Sequence, residues 1–145
     1  MSDFTRSQQT LTRAGARAAL DAALAKAEEM GAKMNIAVVD AGGHLVSFER
    51  MDGAMLISLG IAQDKAYSVV IGNGLPTAQW VPALSGDPDP GLLTSFPHRD
   101  RLIMFGGGVP IQLDGAVVGA VGVSGGSAEE DAIVAQAGAD AVTGG

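Results

Sequence analysis

The chain runs to 145 residues, with a net charge of −7 and no cysteine. That length suits a single domain, 1–145, able to bury a core without staples, and the missing thiols exclude a disulfide framework, a thiolate nucleophile and cysteine metal sites. The acidic balance, with no basic run to override it, speaks against nucleic acid as a partner.

From the N-terminus, Thr10 or Thr12 stands where it can cap a first helix, in which Leu20, Ala23, Leu24, Ala27 and Met30 recur at helical spacing. Arg13, Arg17, Asp21, Glu28 and Glu29 form its polar side, and Gly31 is a natural stop. Residues 35–40 and 45–50 are apolar-rich runs joined by Ala41-Gly42-Gly43-His44. They read as a β-hairpin, because the connection is too short for a parallel crossover. Residues 58–71 return to helical spacing, with Leu59, Ala62, Ala66 and Val69 or Val70 on one face and Asn73-Gly74 at the end. A short helix is expected to begin over 77–80. The proline-rich stretch 85–97 is expected to be an irregular loop of functional interest. Residues 102–105 are expected to form a third strand. Residues 109–113 and 116–123 flank Asp114-Gly115, a strong hairpin signal, and Pro110 favours an edge strand. Ser127 and Glu130 have capping-box spacing and open a last helix through Ile133, Val134 and Ala137.

The order α-β-β-α-(α)-β-β-β-α predicts an α+β sandwich, an antiparallel sheet of about five strands with helices packed on it. No stretch approaches the ~20 apolar residues of a membrane span, and no charged segment leads into an apolar core as in a secretory leader. A soluble, cytoplasmic protein with no membrane partner is therefore expected. Few aromatics and 21 glycines suggest close packing of elements and an assembly that buries more surface.

Several motifs carry a chemical suggestion. Gly122-Val123-Ser124-Gly125-Gly126 fits the pattern of a nucleophile elbow, but both histidines, His44 and His98, precede Ser124, and the chain is too short for the parallel sheet that motif needs. A turn between strand and helix explains it better. Gly106 to Gly108 lack the Gly-Lys-Ser/Thr of a phosphate loop and lead into a strand. They read as a bulge, a close backbone approach or the bare wall of a ligand pocket. Asp87-Pro88-Asp89 lacks the later ligands of a calcium loop. Lys65, one of three lysines, sits on the apolar face of the second helix. It can snorkel, pair with Asp52 or Asp40, or act as a base or Schiff-base amine if desolvated. The ion pair is the preferred reading. Asp52 either caps the second helix or orients a ligand, and Arg50 can bind a carboxylate. His98, Arg99 and Arg101 form a small cationic spot suited to an anionic ligand.

The strings IAVVDAGGHLVSFERMDGA, IAQDKAYSVV and GGGVPIQLDGAVVGAVGVSGGSAEED, in this order and spacing, resemble the GlcG/HbpS family of heme-binding-type domains, which also forms the C-terminal part of PduO-type proteins. The similarity covers about residues 11–141. It implies a profilin-like α+β sandwich and assembly into rings or larger homo-oligomers, often octamers. It also implies a ligand: some members bind heme and are linked to heme sensing or breakdown, others accompany glycolate, diol or aromatic-acid catabolism, and a few look like small catabolic enzymes. Asp52, Lys65, Gly107, Gly108, Pro110 and Asp114 match positions typical of the family; the first two glycines with Pro110 are expected to shape a pocket wall, and Asp114-Gly115 to make a structural turn.

The resulting expectation is a small oligomeric ligand-binding protein that takes heme between subunits. His98 is the preferred iron ligand, His44 the weaker one, and Arg50, Arg99 and Arg101 are ligand-holding candidates. One alternative is an enzyme in which Lys65 and Asp52 move protons on a small carboxylate. Another is an accessory subunit without chemistry. Convergence of Lys65, Asp52 and His98 on one cavity would favour the enzyme.

Overall fold

Thr12 starts the first helix, α1 (Arg13–Glu29): its hydroxyl accepts the Gly15 N–H at 3.0 Å, satisfying a donor that the helix start leaves free. The computed structural model describes residues 3–144. After α1 come β1 (Asn35–Asp40), β2 (Leu45–Arg50), α2 (Ser58–Ile71), a 3-10 turn at Thr77–Gln79, α3 (Trp80–Ser85), α4 (Gly91–Ser95), a second 3-10 turn at Phe96–His98, β3 (Gly108–Leu113), β4 (Ala116–Ser124) and α5 (Ala128–Thr143). No helix among the described residues is long and apolar enough to cross a membrane.

The strands form one antiparallel sheet in the order β2-β1-β4-β3. α1 and α5 pack together on one face, and α2 covers β1, β4 and β3 on the other. The two central strands are therefore dry on both sides, and the alternation of side chains divides β1 between two cores. Ile36 and Val38 join Leu20, Ala23 and Val134 under α1 and α5; Val39 joins Ala66 and Val69 under α2. β2 is an edge strand with no cover from α2, and its residues are half-buried or exposed.

Both expected hairpins form. Asp114 and Gly115 take positive φ angles of 51° and 80°, which this two-residue connection requires. Pro110 lies on β3, an edge strand, where its missing N–H costs no ladder bond. The Ser127–Glu130 capping box is complete, each side chain bonding the other's backbone N–H.

Two expectations are corrected. Residues 102–105 are not a strand, so the sheet has four strands instead of about five. Their backbone meets a helix side chain in place of a neighbouring strand: Ser68 Oγ on α2 accepts the Ile103 N–H (2.8 Å), and its one proton is shared between the carbonyls of Asp64 (2.7 Å) and Arg101 (2.9 Å). The stretch 85–97 is not irregular either. Asp89 accepts the Gly91 N–H at 2.9 Å, Pro90 precedes α4, and Pro97 sits inside the second 3-10 turn. Proline is compatible with such helix starts because no internal acceptor awaits its nitrogen.

α2 approaches β4 closely because Gly122 has no side chain. A Cβ there would strike the backbone of Ala62 and Ala66, and backbone cannot yield as a flexible side chain can. Gly122→Ala is expected to cost about 3 kcal/mol by overpacking, read as a lower urea midpoint with an unchanged denaturant slope.

Candidate functional site

Lys65 lies one turn from Ala62 and Val69 on the sheet-facing side of α2 and is fully buried. Its Nζ donates to the Val123 carbonyl and to Asp131 Oδ2, each at 2.9 Å, and the Phe105 ring centroid lies 4.9 Å away. The other Asp131 oxygen, Oδ1, accepts the Gly126 N–H at 2.8 Å. Burial pulls the ammonium below the usual lysine pKa of 10.5, while the hydrogen bond and charge of Asp131 oppose that shift. The ion pair read from sequence is present, but its partner is Asp131 and not Asp52 or Asp40. Asp40 instead closes the first hairpin turn, accepting from the N–H groups of Gly42 (2.9 Å) and His44 (3.0 Å).

The triple glycine belongs to the same buried cluster. Gly107 has φ +133°, and a Cβ there would meet Lys65 Nζ. The Gly108 N–H donates to Thr77 Oγ1 at 2.8 Å. Both glycines are buried and border none of the clefts described here. Pro110 does line one, a cleft of about 340 Å³ with Gln112, Gln136 and Asp140. Ser124 ends β4 with its hydroxyl on Ser58 Oγ at 3.1 Å; its recorded side-chain bond is to another hydroxyl, not to a histidine.

Asp52 and Arg50 share a different cleft, about 450 Å³, with Glu28, Lys33 and Glu49 at the C-terminal end of α1. His44 lies in the first hairpin turn, its ring largely exposed and 3.3 Å from Asp40 Oδ1. Lys65, Asp52 and His98 thus do not converge on one cavity. Among the described residues, no group of three or more His, Asp or Glu side chains is placed to hold a metal ion.

The cleft beside His98 has a distinct composition. Arg99 and the neighbouring Asp100 line about 320 Å³ of space with Tyr67, Ile71, Trp80, Phe96 and Leu102. The chain has one Trp, one Tyr and four Phe, so three of its six aromatic side chains meet here. Trp80 and Phe96 stack with centroids 5.7 Å apart at a tilt of 46°. The Trp80 indole Nε1 is buried and finds no hydrogen-bond partner among the described residues. His98, in the adjoining 3-10 turn, is exposed. Arg101 is already engaged: its Nε donates to Asp64 Oδ1 at 2.8 Å and its guanidinium lies 3.9 Å from the Tyr67 ring centroid. Reading the sequence located the cations but missed Tyr67, Trp80 and Phe96. The signal available was the scarcity of aromatics, three of which fall in or beside the segments that frame this cleft.

Comparison with known proteins gives consistent relatives. A family model described as "Haem degrading protein HbpS-like" matches residues 11–140. The uncharacterized 15.0 kDa protein of the dhaT–dhaS intergenic region of Citrobacter freundii is 36% identical over 142 residues, covering 94% of this chain and 96% of that protein. Protein ORFY of Klebsiella pneumoniae superposes with a TM-score of 0.86 at 34% identity, over 98% of this chain and 97% of the other. PduOC, solved as a heme complex, superposes with a TM-score of 0.79 at 30% identity, over 91% and 94%.

The buried pair makes a clear mutational prediction. Lys65→Met leaves Asp131 buried beside an apolar group and is expected to cost about 3–5 kcal/mol; Lys65→Met/Asp131→Asn should recover part of that in urea denaturation. The pH dependence has a defined sign. A lysine whose folded pKa is depressed binds fewer protons in the native state between that pKa and 10.5. The Lys65 contribution to stability therefore rises with pH through this window and is lost as pH falls through the folded pKa. Lys65→Met should lack this component of the slope.

Proposed function

The chain belongs to the HbpS-like family, and on that premise we propose that it is a heme-binding protein that works as a homo-oligomer, in heme sensing or as an accessory to heme breakdown. The observation that carries the reading is the likeness, over nearly the whole chain, to a domain solved with heme bound. The aromatic cleft supports it chemically. Tyr67, Trp80 and Phe96 offer flat apolar walls, Arg99 offers a cation for a propionate, and the neighbouring His98 offers an imidazole for iron. Arg101 would join only by leaving Asp64.

A 320 Å³ cleft holds part of a macrocycle, so the rest of the heme is proposed to lie against a second subunit. Apolar surface beyond the cleft fits this arrangement. Met55, Leu56 and Ile57 form a consecutive run exposed by 61%, 67% and 67%, a concentration more typical of covered surface than of a monomer exterior. The acid–base alternative lacks a meeting point, because the Lys65 ammonium is buried on Val123 and Asp131 while Asp52 opens to a separate cleft.

Hemin titration into the purified protein is expected to give a saturable Soret shift, and size-exclusion with light scattering a mass above that of the 14.6 kDa chain. His98→Ala should weaken binding about tenfold or more and alter the band. An unchanged band in that variant removes His98 as the ligand, and no shift in the unaltered protein removes the heme reading.

A further inference from the structure

A further cleft stands apart from the aromatic one and has its own chemistry. It lies between the start of α1 and the edge strand β2, measures about 730 Å³, and is lined by Thr12, Arg13, Arg17, Leu20, Ser47 and Phe48 among others. Arg13 and Arg17 are one helical turn apart, so their guanidinium groups rise from the same side of α1. Both are exposed, and neither takes part in any of the ion pairs formed among the described residues. In a chain of net charge −7, two adjacent unpaired cations run against the overall balance.

The local electrostatics strengthen the contrast. The first turn of α1 has no acidic residue, whereas that of α5 has Glu129, Glu130 and Asp131. The partial positive charge of a helix start is ordinarily offset by such acids; here two guanidiniums add to it. The floor of the cleft is apolar, with Leu20 buried and Val46 and Phe48 half-buried. Hydroxyls complete the rim. Thr12 Oγ1 accepts the Gly15 N–H and keeps its own proton to donate, and Ser47 carries another donor.

We propose that this cleft binds an amphiphilic organic carboxylate, its carboxylate between Arg13 and Arg17 and its ring-sized or branched apolar body on Leu20, Val46 and Phe48. A planar carboxylate matches the fork of donors on each guanidinium, and the half-buried Val46 and Phe48 beside them make the cleft an open groove in which polar and apolar lining lie side by side. The site shares no lining residue with the aromatic cleft, so it stands or falls independently of the heme reading.

Naphthalene-2-carboxylate is a suitable probe, with its neutral isostere naphthalene-2-carboxamide as the control, both followed by calorimetry and by the probe's fluorescence. The acid is expected to bind saturably and the amide about tenfold or more weakly than the acid. Arg13→Gln/Arg17→Gln should lose about tenfold or more of the acid's affinity with its thermal unfolding midpoint retained, since both side chains are exposed. His98→Ala and Arg99→Gln should bind the acid as the unaltered protein does. Equal affinity for acid and amide, undiminished binding by the double arginine variant, or no binding of the acid at all would each overturn the proposal.

Discussion

The ammonium of Lys65 joins elements that come from distant parts of the chain. It rises from α2, bonds the end of strand β4 through the Val123 carbonyl, and bonds α5 through Asp131. Removing both charges from water is costly, and a lone buried ammonium could not persist. Here each partner is satisfied: Nζ has two oxygen acceptors with the Phe105 ring nearby, and Asp131 uses its second oxygen on the Gly126 N–H. The pair fixes how α2, the sheet and α5 sit together more than it adds net stability, because a pair that tolerates so few geometries selects one packing.

Close approach around that pair and the elements it joins accounts for glycines in the glycine-rich stretches. Gly107 leaves room for Lys65 Nζ, Gly122 leaves room for the backbone of α2, and Gly125 lets β4 turn toward α5 against Lys33 and Met34. These positions serve backbone approach in the interior. The clefts proposed above for ligands accordingly lie at the periphery, one by Arg99 and one at the start of α1. The loop 102–106 supplies the cover over Lys65, with Phe105 above the amine, and side chains of α2, Ser68 at Ile103 and Asp64 and Tyr67 at Arg101, hold it in place of a strand ladder.

Local signals were legible in the sequence and distant ones were not. Asp114-Gly115, the Ser127–Glu130 box and the spacing of α1 each encode their structure within a few residues, and all three form as read. The run 102–105 has the composition of a strand, yet strand identity depends on a free neighbouring edge, and Ser68 takes its backbone bonds first. α4 is five residues long, too short for periodicity to register. The partner of Lys65 lies 66 positions away among three successive acids, Glu129, Glu130 and Asp131. Nothing in their order marks the buried one; the rotation of α5 decides it, turning Asp131 inward while the capping box turns Glu130 toward Ser127. The site showed the same division: His98 and the arginines were visible as a charged cluster, whereas the aromatic walls come from three separate elements, Tyr67 on α2, Trp80 on α3 and Phe96 in the second 3-10 turn, and meet only in the fold.

The two arginines beside His98 show how packing separates residues that sequence treats alike. Arg99 and Arg101 are two positions apart in one loop and equally suited to an anion by type. Asp64 and Tyr67, three positions apart on the outer side of α2, face the same surface patch. Arg101 meets both, its charge offset by the carboxylate and its flat guanidinium laid on the ring. Arg101 also takes a positive φ of 64°, a strained conformation for a residue with a Cβ that the bond from Ser68 to its carbonyl helps to hold. Arg99 forms none of the ion pairs among the described residues and lines the cleft next to Asp100. The loop thus uses one arginine to fasten itself to α2, and that fastening sets the other at the edge of the aromatic walls, where its charge is available to a ligand.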